Sequence, residues 1–220
     1  MVASELISDI IPPVKTTDKV EKVYLLLEEF RVSELPVVDG DQFLGLIAED
    51  DLIEVTDEKL PVNALSILKV NLFVRENQHI YDVIRMFHAQ QLTIMPVLDM
   101  KNNYLGLIHI NTLTNYFAGL TSVTEPGAII VLEINNRDNS LAQMAQIVES
   151  DKAQVLSSYT RPFADSTRLE VTLKINKKDV ANILASFIRY DYIVKEVFNQ
   201  AQVDDDSMNR YDLLMNYINL

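Results

Sequence analysis

A 60-residue period runs through the first half of the chain and restricts its fold more than any other feature. Leu35-Pro36-Val37-Val38-Asp39 with Phe43-Leu44-Gly45-Leu46-Ile47 returns as Met95-Pro96-Val97-Leu98-Asp99 with Tyr104-Leu105-Gly106-Leu107-Ile108. Pro36 to Pro96 is 60 residues and Gly45 to Gly106 is 61, so the extra residue falls in the turn between the two apolar runs. A tandem repeat implies two copies of one supersecondary unit. Upstream, Val20, Val23, Tyr24 and Leu27 are matched by Ile80, Val83, Ile84 and Phe87, the i, i+3, i+4, i+7 spacing of one apolar helical face. Each copy predicts α-β-turn-β-α.

Local signals punctuate that plan. Asp18 with Glu21 three residues later predicts a capping box opening a helix that runs to about Arg31. Asp39-Gly40-Asp41 predicts the turn between the first pair of strands, and Ala48-Glu49-Asp50-Asp51 a short helix with acids in its first turn, where the helix dipole favours them. Leu60-Pro61-Val62 marks the join, and Leu65, Leu68, Leu72 and Val74 lead to a second helix starting near Gln78. Ile110 to Ala118 predicts a closing helix, stopped by Gly119 as a left-handed residue. Gly45 and Gly106 share one repeat position, which calls for a missing side chain, for close backbone packing or for a ligand.

At these residues the chain resembles the CBS domain, which occurs in tandem and folds as a pair; the resemblance covers roughly the first 120 residues. In ligand-binding members, it implies a Ser or Thr three residues after the Gly that meets phosphate and an Asp six residues after it that meets ribose hydroxyls. Those places hold Ala48 and Asp51 in the first copy, His109 and Thr112 in the second. The ribose-type carboxylate is kept once and the phosphate-type hydroxyl in neither copy, while Glu49 and Asp50 add negative charge where phosphate would sit. The readings open at this point are one altered nucleoside site, for AMP, ATP or S-adenosylmethionine, or a cleft used for another ligand or for packing. His109 would supply positive charge near neutral pH or serve as a structural residue. Pro36 and Pro96, the same residue in both copies, are candidate ligand-binding positions that also read as scaffold.

After a linker at Thr121 to Pro126 the pattern changes. Ala128 to Ile134 is an apolar strand; Leu141, Met144, Ala145 and Val148 form a helical stripe; Val155 to Tyr159 and Leu169 to Ile175 alternate; Val180, Ile183, Leu184 and Phe187 form a second stripe; Ile193 to Phe198 is a last strand. This β-α-β-β-α-β order is ferredoxin-like. With the turn Asn136-Arg137-Asp138-Asn139-Ser140-Leu141 leading into the first helix, it resembles an ACT domain over about residues 125 to 200. That resemblance implies a small effector, such as an amino acid, held at this turn, where helix N–H groups suit a carboxylate; the alternative is a polar capping turn. Residues 201 to 206 are acidic, and the pattern after them predicts a final helix with Ser207 as its cap and Met208, Tyr211, Leu214, Met215 and Ile218 on one side.

The composition narrows the function. There is no cysteine, which excludes disulfides, thiolate metal sites and cysteine nucleophiles, and the net charge of −13 opposes binding to nucleic acid. No run approaches the ~18 apolar residues of a membrane span, and the start has no basic segment before an apolar core, so a cytoplasmic protein away from membranes is expected. Glycine-rich phosphate loops, His-Glu-x-x-His and Gly-x-Ser-x-Gly are absent. His79 and His88 stand nine apart, which is no metal spacing. The expected architecture is α+β: CBS repeats over residues 1–59 and 60–121, an ACT-like domain over 122–200, and an acidic linker with a terminal helix over 201–220. The combination resembles acetoin-utilisation AcuB-type regulatory proteins. It implies a non-enzymatic homodimer that senses a small effector and modulates a partner, or an interaction subunit that binds no small molecule.

Overall fold

A computed structural model describes residues 1–65, 71–135, 140–164 and 166–198. Chain contacts divide it into two compact units, Met1–Tyr116 and Phe117–Leu220.

In the first unit each repeat builds a three-stranded sheet. The first comprises β1 (Val14–Lys15), α1 (Val20–Phe30), β2 (Glu34–Asp39), β3 (Gln42–Ala48) and α2 (Glu49–Leu52); the second comprises β4 (Val74–Arg75), α3 (Ile80–Gln90), β5 (Ile94–Leu98), β6 (Tyr104–His109) and α4 (Ile110–Leu120). Strand orders are β1-β2-β3 and β4-β5-β6, the first pair of each parallel and the second antiparallel. The predicted stripes point inward: Val20, Val23 and Leu27 are buried on α1, and Ile80, Val83 and Phe87 on α3. Asn102, at φ 68°, and Gly40, at φ 59°, make the two strand turns.

The segment ahead of each repeat completes the core of the other. Ala3 and Leu6 pack with Val74, Ile80, Met95 and Ile108 of the second repeat, while Val62 packs with Val14, Val20 and Leu52 of the first. The exchange is hydrogen-bonded: Ala3 N donates to Gln78 O and Ser4 N to Glu76 O, as Val62 N does to Asp18 O and Asn63 N to Thr16 O. Gly106 marks the crossing. Its φ is +143° and an added Cβ would lie 2.4 Å from Ile7 Cγ2, so the shared glycine position here serves close packing of the exchanged segment.

Two local expectations are corrected. Asp18 does not form a capping box: Lys19 is the N-cap of α1, and the helix's first N–H groups go to Leu60 O and Glu58 O instead. The Asp18 carboxylate accepts from Lys15 N–H and Lys22 Nζ. Burial pushes that carboxyl up, but these two donors outweigh it and leave it below its ordinary value. Gly119 does not stop α4, which runs through it to Leu120; Thr121 N–H and its hydroxyl both donate to Phe117 O, and the left-handed residue is Ser122, at φ 53°.

The second unit is β7 (Ile129–Asn135), α5 (Leu141–Ser150), β8 (Val155–Pro162), β9 (Arg168–Ile175), α6 (Ala181–Arg189) and β10 (Ile193–Phe198). Its antiparallel sheet has the order β10-β7-β9-β8, the ferredoxin-like arrangement. Met144, Ile147 and Val148 of α5 and Ile183, Leu184 and Phe187 of α6 pack on Ile130, Leu132, Val171 and Leu173. Alternation along β9 is incomplete, because Thr172 and Lys174 are buried too; Lys174 Nζ donates to Gly127 O at 3.4 Å. The expected acidic linker and terminal helix lie outside the described residues. Among the described residues no helix is long and apolar enough to cross a membrane.

Candidate functional site

The two repeats meet where β2 and β5 begin. Glu34 opens β2 and pairs with Ala48; Ile94 opens β5 and pairs with His109. The residue before each is bonded to the helix that follows its hairpin: Ser33 O accepts from Glu49 N–H, and Thr93 O from Ile110 N–H. Strand pairing and helix start thus bring the compared positions of both copies to corresponding places beside one crossing.

Within that frame the predicted residues divide. Asp51 Oδ2 accepts from Ala48 N–H at 2.9 Å, so the ribose-type carboxylate caps its own short helix. His109 Nδ1 accepts from Asn111 N–H at 3.0 Å, which leaves the ring proton on Nε2 in the neutral tautomer. His79 does the same for α3 through Tyr81 N–H. Thr112 lies half-buried on α4. Pro36 and Pro96 are buried strand residues paired with Leu46 and Leu107. Glu49 and Asp50 are exposed.

The sequence reading missed Glu34 and Thr93. Glu34 is 4% exposed, and its Oε1 accepts from Thr93 N–H at 2.5 Å, Thr93 Oγ1 at 2.8 Å and Ile94 N–H at 2.9 Å. Thr93 Oγ1 in turn accepts from Ser33 N–H at 3.0 Å. The available signal was an asymmetry: Glu34 stands in an apolar run where the second copy has Ile94.

A second candidate lies in the C-terminal unit. A cavity of about 610 Å³ opens where β7 ends, α5 begins and β10 starts, lined among others by Glu133, Asn135, Ser140, Gln143, Arg168 and Tyr192. Ser140 caps α5, its Oγ accepting from Gln143 N–H at 3.3 Å, and Leu141 is exposed at the first helical position. Asn136, Arg137, Asp138 and Asn139 lie outside the described residues. Arg168 pairs with Glu133 at 2.5 Å, and Tyr192 Oη donates to Gln143 Oε1 at 3.0 Å. Sequence proximity pointed only to the turn, because Arg168 and Tyr192 come from β9 and just ahead of β10. On the same sheet, Lys195 of β10 donating to Glu170 of β9 holds that carboxyl below its ordinary value against the opposing effect of burial, with Arg161 adding to the effect. Among the described residues no group of three or more His, Asp or Glu side chains is arranged to hold a metal ion.

The CBS domain profile matches residues 3–58 and 66–119, together half of the chain. An uncharacterised protein of Methanocaldococcus jannaschii is 26% identical over 105 residues, 48% of this chain and 40% of that protein. Inosine-5'-monophosphate dehydrogenase of the same organism is 23% identical over 112 residues, 50% of this chain and 22% of the enzyme. The chain thus spans less than half the length of these curated relatives. A solved CBS domain pair/ACT domain protein from Thermotoga maritima is 20% identical, with a TM-score of 0.49 over 53% of this chain and 96% of that one. With its repeated helix, hairpin and helix and both copies matched, the chain belongs to the CBS domain family.

Proposed function

We propose that this chain is a regulatory, non-catalytic module. Its CBS pair binds an adenine nucleotide or nucleoside, its C-terminal unit acts as an ACT-type domain for a small effector such as an amino acid, and a homodimer passes the binding to a partner protein, as the likeness to AcuB-type regulators implies. The observation that carries the reading is that the strand partners of Ala48 and His109, Glu34 and Ile94, are joined across the two copies by Ile94 N–H donating to Glu34 Oε1. Two further features support it. The cavity at the start of α5 holds a cation and an anion, Arg168 and Glu133, the pairing that an amino acid's carboxylate and ammonium would exploit. The compared positions of the two copies carry different side chains, so a ligand would favour one side of the pair. An effector moves such a protein only by binding one arrangement more tightly than another.

A second reading, an interaction subunit without a small ligand, is favoured by Ala48 and His109 at the hydroxyl positions and by Glu49 and Asp50 beside them. Thermal shift with adenosine, AMP, ATP, S-adenosylmethionine and amino acids separates the two. Under the sensor reading the melting temperature rises with ligand concentration, by an amount set by RT ln(1 + [L]/Kd). Asp51→Asn keeps an acceptor for Ala48 N–H while removing the charge, and is expected to abolish the nucleotide-dependent shift; an undiminished shift would remove Asp51 from the site. No shift with any of these ligands, together with a stable complex with a partner enzyme, would establish the interaction subunit.

A further inference from the structure

The repeats depart from symmetry where they cross. Ser33-Glu34-Leu35-Pro36 corresponds to Thr93-Ile94-Met95-Pro96, so the first copy has a carboxylate where the second has a hydrocarbon. That carboxylate is buried, and one of its oxygens takes three donors: the N–H groups of Thr93 and Ile94 and the Thr93 hydroxyl. Consecutive backbone N–H groups with a hydroxyl aimed at one point form the donor set with which proteins hold anions. This one is built in advance. Ser33 N–H occupies a lone pair of Thr93 Oγ1, which turns the hydroxyl proton toward Glu34, and Thr93 O is tied to Ile110 N–H. All three donors belong to the second repeat, and the acceptor belongs to the first.

We propose that Thr93 and Ile94 form a small-anion site, shaped for a carboxylate or phosphoryl oxygen, which the protein fills with its own Glu34. The side chain is an internal ligand. While it is seated, the first repeat is fastened to the second by charge-assisted hydrogen bonds, and an external anion enters only by expelling it. Occupancy of the cradle and the relation of the two repeats are therefore linked in both directions. Leaving these donors empty is unfavourable, most of all for the buried Ile94 N–H, because a desolvated N–H or O–H group without an acceptor loses its hydrogen bond to water for nothing. The cradle lies at the same crossing as the proposed nucleotide site, but an anion can fill it whether or not a nucleotide binds there, and the test below uses no nucleotide.

Glu34→Ala vacates the cradle and leaves a gap of about the size of formate or acetate. Its melting temperature is expected to fall and then to recover, saturably, with added sodium formate or acetate. Sodium chloride at equal ionic strength should not restore it, and the unaltered protein should not respond, since Glu34 already fills the site. Inorganic phosphate forms a third arm: recovery with phosphate as well assigns the cradle to phosphoryl oxygens, and recovery with the carboxylates alone assigns it to carboxylates. Failure of formate, acetate and phosphate alike to restore Glu34→Ala, or an equal response in the unaltered protein, overturns the proposal. Should Glu34→Ala not fold, Glu34→Gln retains the shape with a neutral acceptor. Amide exchange at Thr93 and Ile94 is then expected to be about five- to tenfold faster than in the unaltered protein, because a charged acceptor holds N–H groups more tightly; unchanged exchange overturns the proposal.

Discussion

At Gly106 a Cβ would meet Ile7 Cγ2 at 2.4 Å, on a backbone at φ +143° that L residues rarely adopt. Gly106→Ala is expected to cost about 1–3 kcal/mol, read from the urea midpoint. Trimming the neighbour in Gly106→Ala/Ile7→Ala relieves the clash but not the backbone strain, so recovery relative to Ile7→Ala should be partial; complete recovery would show that sterics alone require the glycine. Gly127 is more demanding. A Cβ there would stand 1.8 Å from the carbonyl oxygen of Ile175, which no side-chain change can move. The need for Gly106 was legible because Gly45 repeats it. Gly127 has no repeat partner, and the strand it touches lies far along the chain. The same limit applies to Asp51 and Glu34. The first was singled out by its place after a glycine, and its cap to Ala48 N–H is local. Glu34 reads as an unwelcome charge in an apolar strand until the fold brings Thr93 to it.

Among the elements, periodicity located α1, α3, α5 and α6, because a buried helical face must repeat every three or four residues. Helix ends were less legible. The first N–H groups of α1 are satisfied by carbonyls of residues 58 and 60, from the connection after the first repeat, which removes the need for a capping side chain. In the second unit, side-chain ion pairs join elements that hydrophobic patterning does not connect. Asp151, after α5, takes Lys177 Nζ at 2.5 Å, from the segment between β9 and α6, and Asn182 of α6 also donates to it. Lys177 chiefly, with Asn182 adding to it against burial, holds the Asp151 carboxyl below its ordinary value. A carboxyl lowered in the folded state contributes stability that is present above its unfolded value, near pH 4, and is lost as pH falls through the folded one. Urea stability of the unaltered protein should therefore be flat near neutrality and drop below about pH 4. The difference between it and Lys177→Met should be present at pH 7 and shrink as Asp151 protonates. A difference that persists unchanged to pH 2 would mean that Lys177 acts by packing.

At the scale of the whole molecule, the reciprocal exchange of leading segments makes the two repeats one folding unit rather than two beads. A chain beginning at Ile10 loses Ala3 and Leu6 from the second repeat's core, and hydrogen exchange should quicken in β5 and β6 more than in β2 and β3. Leu6→Ala alone should cost about 2–4 kcal/mol, as expected for a buried leucine; equal loosening of both repeats would contradict the exchange. The sequence by itself determined the duplication, the α-β-β-α content of each copy and the β-α-β-β-α-β order that follows. Those features are periodic and local, and burial of apolar faces imposes them wherever they occur. Only the tertiary structure decided which core each leading segment enters, what fills the cradle at Thr93 and Ile94, and which side chains line the cavity at the start of α5. Each of those depends on residues from tens to about a hundred positions apart, whose meeting is set by how sheets and helices pack and leaves no period in the chain.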